Sequence, residues 1–231
     1  MAVRVLINHE SGLLAETLTD EQLTSLYDVP STPWLRVNMV STVDGAATGE
    51  GGKTGTINNA ADKRVFDLLR RQADAVVVGA GTARAEGYRP MDKPLVVVSR
   101  RGALPPQLLE AAPGAVLLAT CESAEGLEVT RDLLGADNVL VLDGTGVDLS
   151  ALRSRLVERG LANLLSEGGP HLLRDMLDAG VVDELCATFV PRLVAGEHIR
   201  MTEGPSVDVP LDLRLLLEED GTLLGRWFRT R

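Results

Sequence analysis

The sequence predicts an α/β protein with a mostly parallel central sheet and an antiparallel hairpin near its C-terminal end. Three observations carry that expectation. Five short apolar runs, at 75–78, 95–98, 116–119, 139–142 and 161–165, are continuous rather than alternating, as strands covered on both faces are. Stretches with helical spacing lie between most of them, which implies right-handed βαβ units. Finally, apolar stretches at 211–217 and 222–228 flank Asp220-Gly221, a dipeptide that favours a tight hairpin turn.

Element by element, residues 1–33 read as a lead-in packed on a single domain that fills 34–231. The lead-in has a short strand at 3–7 and a short helix opened by the capping-box pattern Thr19-x-x-Gln22. Ser31-Thr32-Pro33 ends it. Residues 35–43 read as a strand, followed by a glycine-rich loop to Gly55. Asn58 and Asn59 then cap a helix whose apolar positions Ala61, Val65, Leu68 and Leu69 fall at i, i+4, i+7 and i+8. Further helices are expected over 106–112, 123–134, 149–158 and 170–179. There is no internal repeat, low-complexity tract or dividing linker.

Composition narrows the function. Of 231 residues, 45% are hydrophobic and 24% charged, and the mean hydropathy of +0.08 fits a chain that buries a sizeable core. Aromatics make up only 3%, so that core must be built from Val, Leu and Ala. A net charge of −10 argues against nucleic acid as partner, because phosphate neutralisation needs a basic face. No apolar run reaches the ~18–20 residues of a membrane span. The N-terminal stretch lacks the pattern of a signal peptide, so the expected location is the cytoplasm. Cys121 and Cys186 lie far apart, and His9, His171 and His198 show no metal-ligand spacing, so no metal is expected.

In open α/β sheets, ligands bind beyond the carboxyl ends of the strands. Three strand ends carry small or cationic residues there. Ser166-Glu167-Gly168-Gly169-Pro170 leads into a helix: two glycines let an anion approach the backbone, and Pro170 pre-sets a first turn whose free N–H groups favour a pyrophosphate. A plain strand-to-helix turn is the alternative. Gly79-Ala80-Gly81-Thr82 follows another strand but does not complete G-x-G-x-x-G. Ser99-Arg100-Arg101 follows a third and suits the 2′-phosphate of NADP(H), since a guanidinium and a hydroxyl offer it charge-assisted hydrogen bonds. A solvated charged corner is the other reading. Glu167 is an acid placed where the ligand must lie. Arg70, with Thr54, is placed to clasp an anionic or carbonyl-bearing substrate, or else to favour the dipole at a solvated helix end.

Three segments appear in one order: Val40-Ser-Thr-Val-Asp-Gly45, Leu69-Arg-Arg-Gln-Ala-Asp-Ala-Val-Val-Val-Gly-Ala-Gly-Thr82, and Leu165-Ser-Glu-Gly-Gly-Pro170 with Val182-Asp-Glu-Leu185 after it. Together they resemble the reductase domain of the bacterial riboflavin-biosynthesis deaminase/reductase and its stand-alone relatives, over about residues 34–228. The resemblance implies a dihydrofolate-reductase-like three-layer fold, NADPH as hydride donor, and a homodimer. It implies reduction of the ribose of 5-amino-6-(5-phosphoribosylamino)uracil, or a close relative, to a ribityl chain. By position it puts Val40, Thr56, Thr82 and Glu86 along the cofactor, with Gly168, Gly169 and the helix start Pro170, His171 and Leu172. Ser99 and Arg100 fall where the 2′-phosphate is read, and Asp44 shapes the nicotinamide end. Thr54, Arg70 and Glu167 fall on the substrate side, Glu167 being the expected catalytic group.

Departures from the family pattern bear on the substrate. Asn38, a substrate-side position, stands where the biosynthetic enzymes commonly have Lys. Glu86-Gly87 replaces an Asp-Asp pair and Thr56 replaces a Trp. No H-x-E with P-C-x-x-C is present, so the zinc deaminase half is absent from this sequence. Two other readings stand beside the main one: a dihydrofolate or pterin reductase of the same fold, and a non-catalytic nucleotide-binding protein.

Overall fold

A computed structural model describes residues 3–10, 12, 15, 17–142 and 144–230; the rest of the predicted 1–33 lead-in and residues 143 and 231 lie outside them. Among the described residues, ten strands form one sheet. They are β1 (Arg4–Asn8), β2 (Trp34–Thr42), β3 (Ala75–Gly79), β4 (Leu95–Val98), β5 (Val116–Cys121), β6 (Val139–Leu142), β7 (Asn163–Ser166), β8 (Glu184–Val190), β9 (Leu211–Glu219) and β10 (Thr222–Arg229). Their spatial order is β1-β9-β10-β8-β2-β7-β3-β4-β5-β6. Every pair from β8 to β6 is parallel, and β10, β9 and β1 are antiparallel at the other edge. The predicted mixed architecture is the one observed. Asp220 and Gly221 both take positive φ, the backbone a two-residue turn demands there.

Among the described residues, six α-helices cover the sheet: α1 (Asp20–Leu26), α2 (Ala60–Gln72), α3 (Ala80–Ala85), α4 (Leu127–Leu134), α5 (Leu149–Glu158) and α6 (Pro170–Asp178). Because strand side chains alternate, Ala75 and Val77 meet α5 and α6 on one face. Val76 and Val78 meet the layer holding α3 and α4 on the other. At the antiparallel end, α1 and α2 pack on Leu215, Leu217 and Leu224. Local chemistry sets the helix starts. The Thr19/Gln22 capping box forms as predicted. The Asn59 side chain accepts from Asp62 N, and Asp148 caps both Ser150 N and Ala151 N.

Two expectations are corrected, and two elements were not expected. Residues 106–112 hold only a 3-10 turn, Pro106–Leu108; a segment this short between Pro106 and Pro113 has too few residues to sustain a helix. The helix expected over 123–134 starts at Leu127, because Gly126 packs against the backbone of Arg101 and Gly102. The segment after Gly79, for which no helix was expected, forms helix α3, consistent with its alanines at 80, 83 and 85. Strand β8 was not anticipated, although it pairs with β2 along seven residues.

Candidate active site

The carboxyl ends of β2, β3 and β7 open into a cleft of about 730 Å³. Topology puts it there, since β7 lies between β2 and β3 and the chain leaves each strand at the same edge. The first wall is the start of α6. Gly169 is its N-cap and brings no side-chain cap, so the first-turn N–H groups are left for another partner. Pro170 and His171 line the cleft beside it. Gly79 N donates to Gly168 O, which locks the two strand ends together. A Cβ built on Gly169 would lie 2.2 Å from Thr82 Oγ1, and one on Gly168, at φ +80°, would lie 3.0 Å from Met39 Sδ. Backbone alone fits at this corner.

The opposite wall is polar. Arg70, in the last turn of α2, donates from Nε to Glu167 Oε1 at 2.6 Å and from Nη2 to Glu167 Oε2 at 2.7 Å. Tyr88 Oη donates to Glu167 Oε2 at 2.5 Å. The Arg70 guanidinium also lies over Phe66, 4.2 Å from the ring centroid. Burial works against the charge on Arg70, but the hydrogen bonds and charge of Glu167 outweigh it and raise its pKa. Burial and the Glu167 charge push the Tyr88 hydroxyl well above its ordinary range, so it remains a donor. Lys93 Nζ donates to the backbone oxygens of Arg70 and Ala73, which fixes the end of α2 from which Arg70 projects.

The cleft gathers many of the predicted residues. Asn38 and Val40 come from β2, Thr54 from the glycine-rich loop, and Gly81, Thr82 and Glu86 from α3 and its end. Thr54 donates to Glu86 Oε1 from both its backbone N, at 2.9 Å, and its hydroxyl, at 3.0 Å. Arg70 therefore binds Glu167, and Thr54 binds Glu86; the two do not form the joint anion clasp expected of them.

Others fall outside the lining. Gly79 and Gly168 are not part of it, and Leu172 is packed in the core. Thr56 is exposed, its hydroxyl bonded to Lys53 O. Asp44 turns away, accepting from Thr42 Oγ1 and from the N–H groups of Val194 and Ala195. The Thr42 hydrogen bond, followed by that of Ala195, lowers its pKa to about 2. Ser99 and Arg100 lie just past the end of β4, beside the end of β3. The Ser99 hydroxyl accepts from Ala103 N, and Arg100 is exposed.

Sequence reading missed Tyr88, Asp62 and Arg89, all lining the cleft. Asp62 carried a legible signal: a carboxylate on the buried stripe of α2, next to Ala61 and one turn before Val65. Arg89 is exposed and makes no ion pair among the described residues.

The RibD C-terminal domain family matches residues 33–221. The chain belongs to that family. It is 33% identical over 207 residues to the 2,5-diamino-6-ribosylamino-4(3H)-pyrimidinone 5′-phosphate reductase of Methanothermobacter thermautotrophicus, covering 83% of this chain and 94% of that one. Its fold matches a pyrimidine reductase-like protein from Corynebacterium diphtheriae with a TM-score of 0.80 at 24% identity, over 93% of this chain and 100% of the other. It also matches the diaminohydroxyphosphoribosylaminopyrimidine deaminase/5-amino-6-(5-phosphoribosylamino)uracil reductase of Thermotoga maritima. There the TM-score is 0.65 at 20% identity, over 86% of this chain and 57% of that one.

Proposed function

We propose that this RibD C-terminal domain family member uses NADPH to reduce a ribosylaminopyrimidine 5′-phosphate to its ribitylamino product, as a step of riboflavin biosynthesis. The observation that carries the reading is one cleft joining the glycine-lined start of α6 to the Glu167–Arg70–Tyr88 cluster, in a chain 33% identical to a reductase of that name.

The residues present fit a dinucleotide. Gly169 lines the cleft where a Cβ would collide with Thr82, and the uncapped first turn of α6 offers N–H groups to a pyrophosphate despite the chain's net negative charge. Ser99 and Arg100, beyond β4, are assigned to the 2′-phosphate, which makes NADPH rather than NADH the cofactor. Bound there, NADPH supplies a hydride. When the ribosylamine ring opens, the C1′–O4′ bond breaks, the exocyclic nitrogen loses its proton, O4′ gains one, and a C1′=N bond forms. Hydride at C1′ and a proton at nitrogen then give the ribityl chain. Glu167, held by three donors in a fixed orientation, keeps lone pairs for the hydroxyls of the open-chain sugar and sets C1′ in place. Arg89 is the cleft cation that makes no ion pair among the described residues and is assigned to the substrate phosphate. A homodimer in the cytoplasm completes the proposal.

The test is NADPH oxidation with the aminopyrimidine ribose phosphate and with dihydrofolate, side by side. Oxidation with the first, yielding a ribitylamino product, is expected. Turnover of dihydrofolate with none of the pyrimidine phosphate would overturn the reading.

A further inference from the structure

Among the described residues, five buried side-chain N or O atoms have no hydrogen-bond partner: Asn38 Oδ1, Asp62 Oδ1, Asn163 Oδ1, Arg214 Nε and Glu219 Oε2. Only Asn38 and Asp62 line the cleft, and both of their atoms are acceptors. Asp62 is 2% exposed and Asn38 8%. Asp62 belongs to the first turn of α2, where its own N–H is held by Asn59 and its carboxylate accepts from the Thr188 hydroxyl. Thr188 pairs in register with Val40 of β2, and Asn38 lies two residues earlier on the same face. Buried polar atoms in native proteins are almost always satisfied, so two unmet acceptors in one cleft point to a ligand edge that brings donors. Burial pushes the Asp62 carboxyl above its ordinary range, and the Thr188 hydrogen bond opposes that; ligand N–H groups would act in the same sense as Thr188.

The two ring types named among the similar proteins differ at one edge. A 2-amino-4(3H)-pyrimidinone presents N3–H and the 2-amino group side by side, two donors. A uracil presents N3–H beside a carbonyl oxygen, which would face the carboxylate lone pairs. Resting on the proposed function, we infer that Asp62, assisted by Asn38, reads the N3–H/2-amino edge of the substrate ring, so that this chain selects the 2-amino-4-pyrimidinone over the corresponding uracil. This makes Asp62 a specificity-determining residue on the far side of the ring from the ribose.

The experiment compares kcat/KM for 2,5-diamino-6-ribosylamino-4(3H)-pyrimidinone 5′-phosphate and 5-amino-6-(5-phosphoribosylamino)uracil in the full chain and in Asp62→Asn. The unsubstituted protein should favour the diamino compound by about 10- to 150-fold, the range one charge-assisted hydrogen bond supplies. Asp62→Asn should bring the ratio towards one, because its amide can donate to the uracil oxygen, while NADPH affinity stays unchanged. A purely structural role would move both substrates together and leave the ratio alone. Parity in the unsubstituted protein, or an unchanged ratio in the variant, overturns the inference and leaves the proposed function standing. Should Asp62→Asn fail to fold, the unsubstituted ratio alone decides. Neither compound bound or reduced overturns the proposed function and the inference with it. Dihydrofolate carries the same edge without the ribose phosphate; its reduction alone overturns the assignment to a ribosylated ring.

Discussion

Among the described residues, two buried glutamates are gripped by arginine, and they stand in opposite conditions. Glu184 is fully buried on β8. Its Oε1 accepts from Arg36 Nε and Arg226 Nε, and its Oε2 from Trp34 Nε1 and both Nη2 groups. The remaining guanidinium donors go to the carbonyls of Leu26, Tyr27 and Asp28 and to Gln72 and Glu10. That network bolts the segment after α1 to the sheet and leaves no side open. Glu167 is held by three donors, from Arg70 and Tyr88, but its arginine side chain is 32% exposed along a cleft. A closed ion cluster specifies structure. An open one beside unmet acceptors is built for a guest.

The two clusters should suffer different kinds of damage, and the largest belongs to the closed one. Glu184→Gln leaves Arg36 buried without a counter-charge and Arg226 with only the half-exposed Glu10, and should cost about 3–5 kcal/mol of unfolding free energy, read from urea denaturation. The folded fraction should keep its kcat/KM. The effect carries a pH signature. Burial pushes the Glu184 carboxyl up, but Arg36 and Arg226 pull it further down, so its folded pKa lies below the unfolded one. The stability it contributes is therefore present above the ordinary glutamate range and lost as pH falls through the lowered value. The gap between the two proteins should narrow below about pH 4. A gap constant with pH would assign the loss to packing instead.

In the cleft, substitutions should cost binding rather than stability. Gly169→Val places atoms where Thr82 and the cofactor backbone must lie, so NADPH binding should fall below detection by calorimetric titration while the circular dichroism spectrum is retained. Normal NADPH binding by the folded variant would return the start of α6 to a plain turn. A smaller loss is expected at the rim. Arg100→Ala should weaken NADPH by about 10- to 150-fold and leave NADH nearly unchanged. Equal losses for both dinucleotides would remove Arg100 from the 2′-phosphate.

Legibility in the sequence followed locality. Buried parallel strands announce themselves as continuous apolar runs, and α5 has the predicted bounds because Asp148 caps it within the same short segment. Helix α3 was hidden because glycines at 79 and 81 read as a loop, whereas Gly79 is only its N-cap. Strand β8 was hidden because Glu184 and Cys186 interrupt its apolar pattern, and their reason for being there is the buried cluster. At the site, Glu167 and Arg70 were each visible, but not their union, since 97 residues separate them and only the placement of β7 between β2 and β3 brings them together. Tyr88 joins them from a third segment for the same reason. Asp62 needed a three-dimensional fact, an acceptor with no donor, before its place on an apolar stripe took on meaning.

The contrast between the two glutamates is tested most directly by the rate of Glu167→Gln on the aminopyrimidine ribose phosphate at saturating NADPH, measured where the variant is fully folded. kcat/KM should fall at least about tenfold, a loss of one charge-assisted contact or more. The unfolding midpoint should drop far less than in Glu184→Gln, and NADPH affinity should hold. An unchanged rate in the folded variant would contradict the account and make Glu167, like Glu184, a structural anchor for its arginine.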